Sequence, residues 1–295
     1  MQSADFLSAV FFYLKEGENL NQNWIVENLN NAFSTWNGKL GELWGLVTTG
    51  PQTFKGGAVW GVMQNLHNAM VGVGYALVVL FFAISLFKNT MNFHELKRPE
   101  AALHYLIRFV AAKALVGYGM DIMLNIFSIC NGVITDMTSG MGGISQAMVS
   151  LPGEMQTAIE NVGFLASIPL WLVTILGSLF ITVLSFVMIL TVYGRFFRLY
   201  MYTALAPLPL ASFAGESTQS VGISFVKSYI GVCLEGAVIV LACIIYSAFV
   251  STPTVTGSEP TTMVWSYLAE TVFNMLVLVG LVKGSDRIIH EMMGL

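Results

Sequence analysis

Long apolar runs, parted by short charged or glycine- and proline-marked links, set the rhythm of this chain. The runs are Ala58–Phe87, Ala101–Ile129, Ser167–Tyr193, Tyr229–Val250 and Met263–Val282. About 20 predominantly apolar residues suffice to cross a bilayer as a helix, so the pattern predicts five spans, at about 67–87, 103–129, 167–193, 229–250 and 263–282. Ahead of them lies a different pattern. Ser3–Leu14 is apolar but too short to span, and an Asn-rich link follows. Then Ile25, Leu29, Phe33, Trp36, Leu40, Leu43 and Val47 recur every three or four residues, as on one face of an amphipathic helix. Trp24, Trp36 and Trp44 suit a membrane interface, and the stripe suits equally a helix packed on the protein's own surface. Gly50 and Pro51 close this region, which gives residues 1–57 as an extracytoplasmic amphipathic helical region and 58–295 as the five-span domain.

The links between runs carry the breaks. Residues 131–162 are rich in Gly, Met and Ser, with Asp136, Glu154 and Glu160 as their charges, and they read as an external loop or a partner-binding lid. Ser167 is placed to cap the third span, with Pro169 in its first turn. At 195–228 the chain reads as an interfacial hinge. Arg195 and Arg198 lie one helical turn apart, and Pro207 and Pro209 then end any helix. Gly72 and Gly74, inside the first span, lower helix propensity but permit close helix approach.

Composition confirms the class. At 55% hydrophobic and 10% charged residues, with a mean hydropathy of +0.71, the chain lies outside the soluble globular norm. The expected fold is an all-α membrane protein with five transmembrane helices, the N-terminal amphipathic helix outside and the proline-broken hinge on the cytosolic side. The net charge of −4 matters less than where the basic residues fall. Lys88, Lys97, Arg98, Arg195, Arg198, Lys227, Lys283 and Arg287 share one side of a five-span topology. The positive-inside rule makes that side cytosolic, with the N-terminus outside, the C-terminus in the cytosol and the protein in the plasma membrane. Asp5 and the lack of an early Lys or Arg give no basic start for a signal peptide, so no cleavage is expected. Cys130, Cys233 and Cys243 form no CxxC pair and read as small buried thiols.

Catalytic chemistry is sought and not found. His94–Glu95 and His290–Glu291 each begin HE, but Arg98 and Gly294 stand where HExxH needs its second histidine. No phosphate loop, nucleophile–base set, cofactor site or metal site is predicted, so the expectation is no enzyme. Ionisable residues inside the spans carry the remaining signal. Each costs on the order of 2.5–3.5 kcal/mol at a helix centre and needs a partner or water. Lys113, Asp121, Glu235 and Glu270 are therefore the candidates for assembly or a channel, as interhelical ion pairs or as lining of a hydrated passage. Lys113, Gly117, Asp121, Asn125 and Ser128 share one face of the second span. Lys113 or Arg108 is expected beside Glu235. Arg195, Arg198, Tyr202, Pro207 and Pro209 form the candidate cytosolic hinge and docking surface, with membrane anchoring as the plainer role for the two arginines.

The stretch GRFFRLYMYTALAPLPLASFAGES, followed by the apolar helix Tyr229–Val250, resembles the TrbL-like conjugal transfer proteins, the polytopic inner-membrane components of type IV secretion systems. The resemblance extends back through GAVWGVMQNLHNAMVGVGYALVVLFF, covers roughly Gly56 to the C-terminus, and is nearest in type to short Gram-positive versions. It implies a base or channel subunit that helps transfer single-stranded DNA with its relaxase. It also implies a homo-oligomeric ring, five-fold in relatives, set in membrane lipid. Cytosolic ATPases, an external stalk or surface protein and transient single-stranded DNA are the implied partners. Two other readings stand beside it: a small-solute or ion transporter, and a membrane scaffold without a pore.

Overall fold

A computed structural model describes residues 2–90, 99–140, 148–162, 164–249 and 260–294. Among them there is no strand. The helices are α1 (Gln2–Thr48), α2 (Ala58–Thr90), α3 (Pro99–Gly117), α4 (Gly119–Gly140), α5 (Gly153–Glu160), α6 (Phe164–Leu205), α7 (Pro207–Leu210), α8 (Gln219–Phe249) and α9 (Pro260–Met293). Short 3-10 turns lie at Phe54–Gly57 and Ala211–Ala214. Four helices are long and apolar enough to cross a membrane, and α3 with α4 makes a fifth if that pair is one broken span. This is an all-α membrane protein. The Lys97 and Arg98 loop, His94 and most of the proline/threonine loop before α9 lie outside the described residues.

The chain forms two compact units, and the boundary between them falls inside α1, α6, α8 and α9. The first unit contains α1 as far as Trp44, residues from Gly142 to Thr191, and Ala242 to Lys283. Here the amphipathic pattern decides the packing. Ile25, Leu29, Phe33, Trp36, Leu40 and Leu43 are all buried. Trp24 meets Trp171 at 5.7 Å between ring centroids, and Phe33 meets Tyr267 edge-on at 6.4 Å. Asn28 donates to Ser178 Oγ at 3.1 Å, and the Lys39 ammonium lies 5.9 Å from the Phe186 ring centroid. The stripe thus packs on α6 and α9. α1 runs beside the apolar part of α6 instead of lying flat on a membrane face, and Ser3–Leu14 is continuous with it in one helix of 47 residues. Asn37 holds the residues ahead of α5 by two bonds, donating to Val149 O at 2.8 Å and accepting from Val149 N–H at 2.9 Å. Tyr267 donates to Ser150 O at 2.8 Å. α5 buries Met155 and Ile159 and turns Glu154 and Glu160 outward.

The second unit contains Gly45–Met141, Val192–Leu241 and Gly284–Leu295. α1 ends at Thr48, where the Thr48 and Thr49 hydroxyls both donate to Gly45 O. The turn that follows needs left-handed backbone at Lys55 (φ 51), Gly56 (φ 73) and Gly57 (φ 78), and a Cβ on Gly57 would lie 2.9 Å from Gln52 O. Glycine is the residue that meets both demands at little cost. α3 and α4 differ from the single predicted span: they meet at a bend of 72° around Tyr118. Glycines at 117 and 119 admit the Tyr75 hydroxyl and the Leu210 and His67 side chains, which a Cβ there would crowd. α4 then continues to Gly140, so the first third of the predicted external loop is helix.

α6 begins at Phe164, three residues before the predicted cap, which places Pro169 inside the helix. It runs for 42 residues, about 63 Å at 1.5 Å per residue, roughly twice the hydrocarbon thickness of a bilayer. Arg195 and Arg198 lie within it, and the helix breaks only at Ala206. The prolines end it as predicted, but the broken stretch does not lie on a surface. α7 and the 3-10 turn after it pack against α2 and α3, with Pro207, Leu210, Ala211, Ser212 and Ala214 buried. Gly74 makes this possible, since a Cβ there would come within 2.9 Å of Pro207 O. Irregular backbone is tolerated beside a spanning helix when protein covers it and hydroxyls satisfy it. Ser212 donates to Pro209 O at 2.6 Å, and Thr218 to Ser212 O at 2.8 Å.

Candidate functional site

The most polar constellation of the second unit is built where the end of α6 meets α8, α9 and the end of α1. Arg195 is fully buried. Its guanidinium donates to three carbonyls: Val232 O at 3.2 Å, Cys233 O at 3.0 Å and, more weakly, Val47 O at 3.4 Å. Space for it exists because residue 236 is glycine: a Cβ there would lie 2.7 Å from Arg195 Nη1 and 2.7 Å from Ile134 Cδ1. One turn later Arg198 donates to both carboxylate oxygens of Glu235 at 2.7 Å and also pairs with Asp286. Ser285 donates to Glu235 Oε1 at 3.3 Å, and His290 Nε2 lies 3.6 Å from Asp286. Two arginines and two carboxylates thus tie α6 to α8 and α9, with the end of α1 held through Val47 O; Glu235 is 1% exposed and Arg198 28%. A bidentate guanidinium–carboxylate pair fixes relative orientation as well as separation.

Aromatic packing surrounds this node. Phe54 stacks on Phe196 at 3.9 Å and meets Tyr193 and Tyr200, while the Tyr200 hydroxyl donates to Pro51 O at 2.8 Å. Lys55 lies over Tyr193 at 5.2 Å. The Tyr229 hydroxyl donates to Met123 O at 2.9 Å, and buried His67 meets Thr203 O through Nδ1 at 2.7 Å.

The structure therefore brings together Arg195, Arg198 and Glu235 from the predicted residues, and it separates the others from them. Glu235 pairs with Arg198, in place of Lys113 or Arg108, because Arg198 remains on the helical α6 that faces α8. Arg195, Phe196, Leu199 and Tyr200 are buried, so the polar edge expected of Arg195, Arg198 and Tyr202 is an internal network. Tyr202 is half-buried between Phe225 and Tyr229; Pro207 is buried and Pro209 partly so. Lys113 on α3, Asp121 on α4 and Glu270 on α9 are exposed, with no ion pair among the described residues. Asp121 sits in the first turn of α4, where a carboxylate stabilises the helix dipole. Along α4, Asp121, Asn125, Ser128, Gly132, Asp136 and Ser139 are all exposed on one stripe, opposite buried Met123, Phe127, Cys130 and Ile134. Ser285 and Asp286 were missed, because KGSDR reads as a solvated tail and nothing local marks it as a partner for a distant glutamate.

The basic residues are spread along the length of α2. Arg195 and Phe196 are level with the residues that precede α2, through Val47 and Phe54. Lys88 is at the far end of α2, about 45 Å along the helix. Asp286 and Ser285 join the Arg198 end. From Asp286 α9 continues along α8, where Ile289 packs at Gly231, so its terminus runs toward the Gln219 end of α8 that Arg108 meets. Among the described residues no group of three His, Cys, Asp or Glu side chains could hold a metal ion.

The sequence pattern of a family described as "TrbL/VirB6 plasmid conjugal transfer like protein" matches residues 36–207, more than half of the chain. No curated protein and no solved structure matches it.

Proposed function

Because this chain belongs to the TrbL/VirB6-like family and is a component of the conjugal transfer (type IV secretion) machinery, we propose that it forms the membrane base or channel of the translocation apparatus. In this reading copies assemble into a ring, and single-stranded DNA with its relaxase passes along the ring axis. Cytosolic ATPases engage the face bearing the loop after Lys88, and an external component engages the other. One observation carries the reading. The outward face of α1 presents Glu27, Asn30, Asn31, Ser34, Gly38 and Gly41, all exposed, while its inward stripe packs along the apolar part of α6. A polar face beside an apolar spanning helix is costly against lipid and is relieved by water or by another copy of the chain. The stripe of α4 presents a second such face, with Asp121 and Asp136 on it. Carboxylates there would repel phosphate, as suits a conduit that must not retain its cargo.

The test places single cysteines at Asn30 and Ser34 on α1, at Asn125 on α4, and at Leu179 on the exposed apolar face of α6 as a control. Crosslinks to DNA in transit from 30, 34 or 125, with none from 179, support the channel. Crosslinks only between copies of the chain reduce the protein to a scaffold around another subunit's channel and overturn the reading.

A second reading, a small-solute or ion transporter, draws on a specific feature. Two interrupted helices, α3–α4 and α6–α7, meet where Gly119 approaches Leu210 beside buried His67. Paired helix breaks mark substrate sites in secondary transporters. Native mass analysis of detergent-extracted protein separates the two: a ring supports the channel base, a stable monomer the transporter.

A further inference from the structure

At the far end of α2 from the Arg198 node, the second unit has a small open cavity of about 160 Å³, lined by Ser85, Lys88, Glu216 and Ser217. Two features make it a site in want of an anion. First, the hydrogen bonds around it are incomplete on the donor side. Arg108 donates through Nη2 to Gln219 at 3.1 Å, but its Nη1 is buried without a hydrogen-bond partner. Among the described residues the carboxylate nearest to Nη1, Glu216, stands 4.0 Å away and is 66% exposed. A polar contact longer than about 3.5 Å leaves room for an intervening group, and a buried unpaired guanidinium N–H is costly. Ser85 accepts the Glu216 N–H at 3.4 Å, which leaves its own hydroxyl hydrogen to donate into the cavity, and Ser217 adds a second hydroxyl. Second, exposed apolar residues stand next in sequence to these groups: Ile84 and Phe87 beside Ser85 and Lys88 on α2, Leu106 and Ile107 beside Arg108 on α3, and Val221, on α8, shortly after Ser217. In a membrane protein such residues lie against acyl chains, and the cavity then lies at headgroup depth.

We infer that this cavity binds the phosphodiester of an anionic phospholipid, with Lys88 and Arg108 as its cations, the Ser85 and Ser217 hydroxyls as further donors, and these apolar residues as the track for its chains. Basic pockets between spanning helices recognise lipid headgroups by this chemistry. Glu216 is the competing anion: it partly neutralises Arg108 when no lipid is bound and swings into solvent when one is. The inference requires only that the chain spans a membrane; it is independent of the channel reading.

The experiment uses the purified full-length protein and native mass spectrometry, with phosphatidylglycerol, phosphatidylcholine and inorganic phosphate as probes. Retention of phosphatidylglycerol over phosphatidylcholine is expected. Lys88→Gln should lower that preference about fivefold, the effect of removing one basic residue near a lipid phosphate. Glu216→Gln, which removes the competing anion, should raise it. Both side chains are exposed, so neither change threatens the fold. Arg287→Gln, at an exposed residue on α9, is the control and should change nothing. Equal retention of the two lipids overturns the inference, as does a loss with Glu216→Gln or an Arg287→Gln effect as large as that of Lys88→Gln. Displacement of phosphatidylglycerol by millimolar inorganic phosphate would assign the cavity to a free anion and overturn the lipid source.

Discussion

Removing Arg198 should damage this protein more than removing any other single charge in the second unit. Arg198 holds Glu235 by two bonds of 2.7 Å and reaches Asp286 as well, and Glu235 is 1% exposed. Taking away one partner of a buried pair costs about 3–5 kcal/mol, chiefly because the remaining charge is left without a counter-ion. Arg198 itself is 28% exposed, and Ser285 still donates to Glu235, so the lower part of that range applies. At about 2–4 °C per kcal/mol for a chain of a few hundred residues, Arg198→Ala should lower Tm by about 6–12 °C. The protein carries its own reporters: Cys130, Cys233 and Cys243 are free and buried, and a thiol-reactive dye will label them as the fold opens. Glu235→Gln keeps the shape of the side chain and should cost less. The double change Arg198→Ala with Glu235→Gln should cost less than the sum of the two, because no buried charge is left stranded; the shortfall is the coupling energy. Two single effects that add within about 0.5 kcal/mol would refute the claim that the pair holds α6 to α8.

Further outcomes can be checked together. Gly74→Ala should destabilise by about 1–3 kcal/mol, since its methyl meets the Pro207 carbonyl at 2.9 Å, whereas Gly72→Ala, with open space around it, should be tolerated in the same thiol assay. Asn37→Ala removes both bonds to Val149 and should expose the segment around Val149 to limited proteolysis, with the rest of the chain protected. Topology reporters placed after Lys88 and after Met293 should give the same, cytosolic signal if the basic residues share one side; opposite signals would overturn that grouping.

What the sequence made legible follows from local rules. The α1 stripe was readable because every one of its seven predicted positions, Ile25 to Val47, obeys one period, and all seven are buried. Periodicity could not say whether lipid or protein covers that face; tertiary packing on α6 and α9 decided it. Pro207 and Pro209 marked the break, yet the depth of the break depended on Gly74 and on the small residues of the 3-10 turn after α7, which no local rule connects. The bend at Tyr118 was hidden by an unbroken apolar texture, with two glycines that read equally well as packing residues. Glu235 was recognised as needing a cation. The choice of Arg198 over Lys113 rested on α6 staying helical past Tyr193, whereas the sequence suggested that the chain left the membrane there.

The contacts of α1 also set a timetable for synthesis. Asn28 bonds Ser178, 150 residues later, and Val47 O is held by Arg195, 148 residues later. At about 5–20 residues per second, α1 exists for roughly 7–30 s before its α6 partner is made. Through that interval its apolar stripe has no protein to cover it, and the membrane interface is the nearest shelter. The three tryptophans that suit an interface would then serve the nascent chain, before the same stripe is drawn into the finished core. Slowing translation between Thr48 and Ser167 should lengthen that exposed period, and so increase degradation of new chains without altering the stability of those already folded.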